Sequence, residues 1–168
     1  MITDFVQSLT TEELIYTYGS VINELKSRNV IRSKNVIGDL GEYLAIDYYC
    51  KTKGLPKLQP APTGTKNIDA ISINGERYSI KSTTGNVTGV FYGLNPPDSS
   101  VTDTVKFEYV IVVLFDANFK LKRINEINWE QFLRYKKWHS RMNAWNLTIT
   151  RELLDNTRTI YNKYETGS

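Results

Sequence analysis

Residues 70–81, Ala70-Ile71-Ser72-Ile73-Asn74-Gly75-Glu76-Arg77-Tyr78-Ser79-Ile80-Lys81, decide the fold class. Two β-prone runs, 70–73 and 76–81, flank Asn74-Gly75. An Asn-Gly pair between such runs predicts a two-residue type I′ turn, hence a β-hairpin. That turn sets Ile73 opposite Glu76, Ser72 opposite Arg77, Ile71 opposite Tyr78 and Ala70 opposite Ser79. Ile71, Ile73, Tyr78 and Ile80 then share a core face. Ala70, Ser72, Arg77, Ser79 and Lys81 share a polar one, because strand side chains alternate.

Upstream of the hairpin, residues 55–68 hold three prolines and Gly64, which excludes a helix there. Before that loop, Ile37, Leu40, Gly41, Leu44 and Tyr48 recur with helical spacing and predict a helix over Asn35–Lys53. Gly54 and Pro56 stop it. A first helix is expected over Thr11–Arg28, opened by a Thr10/Glu13 capping box and carrying the stripe Leu14, Tyr18, Val21, Ile22 and Leu25. A basic connector, Arg28–Lys34, joins the two helices.

Downstream, residues 82–104 are rich in Ser, Thr, Gly, Asn and Pro and read as a long excursion with a short strand at Val90–Leu94. Phe107–Phe115 is almost continuously apolar and predicts a central strand covered on both faces. Asp116-Ala117-Asn118 turns it into a further strand, Phe119–Ile127. Asn128 with Gln131 is a second capping box, opening a helix expected to run through His139. A short strand at Asn146–Ile149 and a last helix from Thr150 to Tyr164 complete the reading. The fold class is therefore α/β, a mixed β-sheet flanked by helices with a helical C-terminal part. A single domain is expected over 1–168, with an N-terminal helical segment at 1–32, the core at 33–127 and C-terminal helices at 128–168.

Composition narrows the function. With 40% hydrophobic and 23% charged residues, the 168-residue chain is that of an ordinary globular domain. No apolar run approaches the ~20 residues of a membrane span, so no membrane partner is expected. The N-terminus lacks the pattern of a secretory signal. A single cysteine, Cys50, and a single histidine, His139, exclude an internal disulfide and a His/Cys zinc cage. They point to a reducing, cytoplasmic setting. The net charge of +3 arises entirely in residues 128–168, which carry seven basic and four acidic side chains. That hints at a polyanion-facing C-terminal part.

Three groups distant in sequence are candidates for one site. Asp69 stands at the hairpin entrance, Lys81 ends its second strand, and Glu42 lies on the preceding helix. Two carboxylates with a lysine suit Mg²⁺, which prefers carboxylate oxygens and retains several waters. Asp39, one turn before Glu42, reads instead as an acid favouring the helix N-terminus. In an ideal ribbon with the two-residue turn, Asp69 would pair with Ile80 and point away from Ser79 and Lys81. The site therefore requires Asp69 to sit just before regular pairing, or a twist or bulge to re-aim it; the first is expected, because the Pro/Gly-rich loop ends there.

These residues resemble the PD-(D/E)XK nuclease superfamily, which includes the type II restriction endonucleases. Asn67-Ile68-Asp69 is similar to the family's first half-motif and Tyr78-Ser79-Ile80-Lys81 to its second. Gly38-Asp39-Leu40-Gly41-Glu42-Tyr43-Leu44-Ala45 resembles its first-helix segment. The resemblance covers roughly residues 33–127. It implies a restriction-endonuclease-like core and Mg²⁺-dependent hydrolysis of DNA phosphodiesters, with Mn²⁺ as a substitute ion. On this pattern Asp69 and Glu42 are the metal ligands and Lys81 is the catalytic lysine. Ser79 stands where the family usually has Asp or Glu, and its neutral hydroxyl would meet the ion weakly or through a water.

Double-stranded DNA is then the expected partner. Thr83, Thr84 and Asn86, directly after Lys81, are candidate DNA contacts. So are Arg134, Lys136, Lys137 and Arg141, which interleave with aromatic residues and would meet phosphates. A symmetric homodimer would cut both strands of a palindrome. Two other readings stand beside the nuclease: a DNA-binding module on a decayed nuclease fold, with Ser79 marking the lost ligand, and a protein-interaction domain.

Overall fold

The computed structural model describes residues 1–165, apart from the side chain of Ile15. Helices α1 (Ile2–Ser8), α2 (Thr11–Ser27) and α3 (Val36–Lys51) come first. Strands β1 (Leu58–Pro60), β2 (Ala70–Ser72), β3 (Arg77–Thr83), β4 (Tyr109–Phe115) and β5 (Leu121–Asn128) follow. Then come α4 (Trp129–Tyr135), β6 (Lys136–His139), β7 (Ala144–Leu147), α5 (Arg151–Asp155) and β8 (Arg158–Asn162). Among these, six strands form one mixed sheet in the order β1-β2-β3-β4-β5-β8. β3 and β4 are parallel and the other neighbours antiparallel. None of the helices among the described residues is long and apolar enough to cross a membrane.

The apolar run 109–115 forms β4, and Val110 through Phe115 are buried. Their alternate side chains feed two cores. On one face Ile111 and Val113 join Ala70, Tyr78 and Ile80 beneath Ala45 and Tyr49 of α3. On the other, Val110, Val112 and Leu114 lie under Phe91, Phe107, Phe132, Leu147 and Leu153. Asn35 caps α3 through Gly38 N–H at 3.2 Å. Gly41 lets that helix approach β3, since a Cβ there would fall 1.6 Å from Ser82 Oγ.

The hairpin forms, but with a different turn. Ala70 pairs with Tyr78 and Ile71 with Arg77, one residue out of the two-residue register. The loop is Ile73-Asn74-Gly75, closed by Ser72 N–H to Glu76 O at 2.9 Å and Gly75 N–H to Ser72 O at 2.9 Å. A type I′ turn needs positive φ at both central residues, whereas here Gly75 (φ 90°) has it and Asn74 does not. The Ser72 hydroxyl favours the longer loop, accepting from Asn74 N–H at 3.1 Å and Glu76 N–H at 3.2 Å. A one-residue slip exchanges faces. Ser72 is therefore buried and Ile73 exposed. The expected polar face of β3 is covered too, since Ser79 is buried along with Tyr78 and Ile80.

The helical C-terminal part is corrected. Asn128 and Gln131 do cap α4, at 2.9 and 3.0 Å, but the helix ends at Tyr135 rather than His139. Lys136–His139 pairs antiparallel with Ala144–Leu147, and Trp138 packs edge-on against Trp145 at 5.2 Å. Thr150 caps only the five-residue α5. The β-prone Arg158-Thr159-Ile160-Tyr161-Asn162 then joins the main sheet beside β5, which would otherwise be an open edge. Residues 129–162 thus hold two short helices, a separate two-stranded sheet and the last strand of the main sheet, rather than helices alone.

Three smaller differences remain. β1 arises within the proline-rich loop as an edge strand, where Pro60 removes no needed ladder bond. The 90–94 segment makes no strand, only an isolated bridge, Phe91 to Trp145. α2 forms with its capping box, Glu13 N–H to Thr10 Oγ1 at 3.3 Å, yet Leu14, Tyr18 and Val21 face solvent instead of a core.

Candidate functional site

Asp69 sits one residue before β2, where regular pairing ends at Ala70–Tyr78. Its N–H donates to Tyr78 O at 2.8 Å. Its Oδ2 accepts from Ile80 N–H at 2.6 Å and from the Ser79 hydroxyl at 3.3 Å. The carboxylate therefore lies across the hairpin against Ser79-Ile80, as the site requires. Oδ1 has no hydrogen-bond partner among the described residues.

Glu42 comes to the same place from α3. Glu42 and Asp69 line one cavity of about 390 Å³, walled by Ala61–Thr65 of the proline-rich loop. Burial raises the Glu42 carboxyl above its ordinary value, and the nearby Asp69 charge raises it further. Arg32 opposes both through an ion pair to Glu42 Oε2 at 2.9 Å. Arg32 was not singled out by the sequence, because nothing local marks a connector arginine as the partner of an acid ten residues on.

Asp39 has a task beyond the helix dipole. Its Oδ2 accepts from Arg32 N–H at 2.7 Å and Ser33 N–H at 2.6 Å, tying the connector to α3. Burial acts to raise its carboxyl, but these bonds outweigh it and the net shift is downward. Asp39 is thus committed to the backbone.

Ser79 is 1% exposed, and its hydroxyl is donated to Asp69. In this position it orients Asp69. Lys81, two residues on along β3, rests its ammonium 5.0 Å from the Phe91 ring centroid. Among the described residues it forms no ion pair, so the structure gathers Asp69, Glu42 and Ser79 and leaves the Lys81 head against an aromatic ring. Among the described residues no three His, Cys, Asp or Glu side chains cluster as a ready cation cage. The donors present are two carboxylates with unfilled oxygens beside loop hydroxyls and carbonyls. That set fits a hard cation that keeps part of its water shell, as Mg²⁺ does.

Neither the protein-family models nor the curated proteins searched contain a match to this chain.

The nucleic-acid candidates divide. Thr84 and Asn86 are exposed after β3, while Thr83 is half-buried with its hydroxyl accepting from Gly85 N–H at 3.0 Å. Arg134, Lys137 and Arg141 are exposed. Lys136 is a correction. Its ammonium lies 3.5 Å from the Trp145 ring centroid and 3.7 Å from Asp103, with side-chain exposures of 13% and 8% for the pair. The β6 register turns it inward, and burial lowers its pKa against the Asp103 charge. Lys136→Met strands Asp103 without a cation and should cost about 2–4 kcal/mol in denaturant-monitored unfolding. Cys50, near the end of α3, is exposed and its Sγ–H donates to Leu58 O at 3.2 Å.

Proposed function

We propose that the protein is a Mg²⁺-dependent endonuclease of restriction type, hydrolysing DNA phosphodiester bonds at the Asp69–Glu42 cavity. The observation that carries this reading is the meeting of two acids, 27 positions apart in sequence, in one cavity where the Asp69 charge and burial both disfavour the charge of Glu42. Asp69 and Glu42 would hold the divalent ion, with Mn²⁺ as a substitute. When bound, the ion supplies charge stabilisation at a phosphoryl oxygen and a more acidic water. Ile80 N–H and Ser79 Oγ hold the Asp69 carboxylate in place. Lys81 stands two residues from Ser79 on the same side of β3, on a flexible four-carbon stem. From there its ammonium would leave Phe91 to meet the attacking water or the developing charge. The mixed sheet, with α3 packed on β3 and the parallel β3–β4 pair, supports a restriction-endonuclease-like core.

Double-stranded DNA would lie over Thr83, Thr84 and Asn86 after β3, and over Arg134, Lys137 and Arg141. Lys137→Ala should weaken DNA binding uniformly across sequences and lower the salt slope by about one, without changing thermal stability. A second copy of the chain would supply a site for the other strand. The apolar stripe that α2 leaves exposed is a surface such a pair would bury, and sedimentation equilibrium would then give twice 19.3 kDa.

The test is incubation of the pure protein with supercoiled plasmid in Mg²⁺, in Mn²⁺ and in chelator. The expected result is nicked and linear product with either ion and none with chelator. Salt-sensitive DNA binding without cleavage in either ion would favour the second reading, a decayed nuclease fold that binds DNA. Ser79, a neutral residue in the acid's place, favours that alternative.

A further inference from the structure

We infer that Arg32 is a resident counter-cation of the site: it holds Glu42 while no divalent ion is present, and passes to a substrate phosphate when an ion takes Glu42. The inference rests on the reading of Asp69 and Glu42 as ion-holding groups, and adds a residue that neither the sequence motifs nor the proposed chemistry assigns.

The 390 Å³ cavity is lined by three acids, Asp39, Glu42 and Asp69, and among its lining residues Arg32 is the one cation. A DNA phosphate entering such a wall is repelled by the three carboxylates and finds its one charge partner in this side chain. Two contacts fix the Arg32 position. Its backbone N–H is held by Asp39 at 2.7 Å, so the residue stays at the cavity mouth whatever its side chain does. Its guanidinium contacts Glu42 at 2.9 Å and is more than half exposed, so that contact breaks at little cost.

The guanidinium and a divalent ion compete for one carboxylate. Among the described residues Arg32 is the one hydrogen-bond and ion-pair partner of Glu42, and burial already disfavours the charged form of that carboxyl. A cation approaching Asp69 Oδ1 must either displace Arg32 from Glu42 or bind beside a positive neighbour. Both weaken the ion's binding. Once displaced, the guanidinium remains anchored at the mouth with its planar array of donors free, and that array matches phosphate oxygens.

The competition fixes the sign of the test. Isothermal titration of Mn²⁺ alone into wild type, Arg32→Ala and Arg32→Lys should show Arg32→Ala binding about three- to tenfold more tightly than wild type, the scale of one lost half-exposed ion pair and one lost like charge. Arg32→Lys, which keeps the charge, should stay near wild type. DNA cleavage by Arg32→Ala should nevertheless fall, with KM rising. An arginine that merely positions Glu42 gives the opposite sign, weaker Mn²⁺ binding in Arg32→Ala. That outcome, or unchanged affinity in a variant whose thermal unfolding matches wild type, overturns the inference. Absence of Mn²⁺ binding by both wild type and Arg32→Ala overturns instead the ion-holding reading on which it rests.

Discussion

Asp69→Asn is expected to lower the DNA cleavage rate by at least about three orders of magnitude, the scale of several kcal/mol of lost transition-state stabilisation. Asp69 is the residue with no substitute in the site. Its Oδ1 has no hydrogen-bond partner among the described residues, while Oδ2 is held by Ile80 N–H at 2.6 Å and Ser79 Oγ at 3.3 Å. The asparagine amide keeps an oxygen for Ile80 N–H and loses the charge that would hold the cation. Folding should therefore lose only about 1–2 kcal/mol, the difference between a charge-assisted and a neutral bond. A folded but inactive variant is the expected pair of results, read by plasmid cleavage beside thermal unfolding. Retention of more than a tenth of wild-type activity would remove Asp69 from the chemistry. Glu42→Gln should follow the same pattern less completely, because its carboxylate already shares its charge with Arg32.

Gly41→Ala is expected to be the most damaging small substitution for the fold. The added Cβ would lie 1.6 Å from Ser82 Oγ and 2.7 Å from Ser82 Cβ. Rotating the Ser82 hydroxyl relieves the first contact but not the second, so α3 must lift from β3. Overpacking of this kind costs about 2–3 kcal/mol, or about 4–12 °C in Tm at this chain length. Because Glu42 is the next residue, the displacement should also weaken ion binding. The partner experiment is Ser82→Ala. Ser82 Oγ is buried with no hydrogen-bond partner among the described residues, so removing it should be neutral or stabilising by up to about 1 kcal/mol. A Gly41→Ala protein as stable as wild type would contradict the close α3–β3 contact.

What could be read in the sequence was what short-range physics determines. The Thr10/Glu13 and Asn128/Gln131 boxes set helix starts because both partners lie within one turn. The Tyr109–Phe115 run set the central strand because a buried strand needs apolar residues on both sides. Asp69 and Glu42 were found as acids, and the structure places them in one cavity. Misreadings arose where a distant partner decides. Asn74-Gly75 permits two loop lengths, and the Ser72 hydroxyl selects the longer. Lys136-Lys137-Trp138-His139 continues a helical pattern until Ala144–Leu147 offers a strand to pair with. Lys136 looks like a phosphate contact until Asp103 and Trp145 enclose it. The stripe of α2 predicted a core that this chain does not supply for Leu14, Tyr18 and Val21.

Counting bound Mn²⁺ per chain by electron paramagnetic resonance, in wild type, Asp69→Asn and Glu42→Gln, addresses the central claim most directly. Both carboxylates of one cavity should serve one ion. The prediction is a single strong site in wild type, lost in Asp69→Asn and markedly weakened in Glu42→Gln. A wild-type site that survives both substitutions unchanged, or no site in the folded wild-type protein, would contradict it.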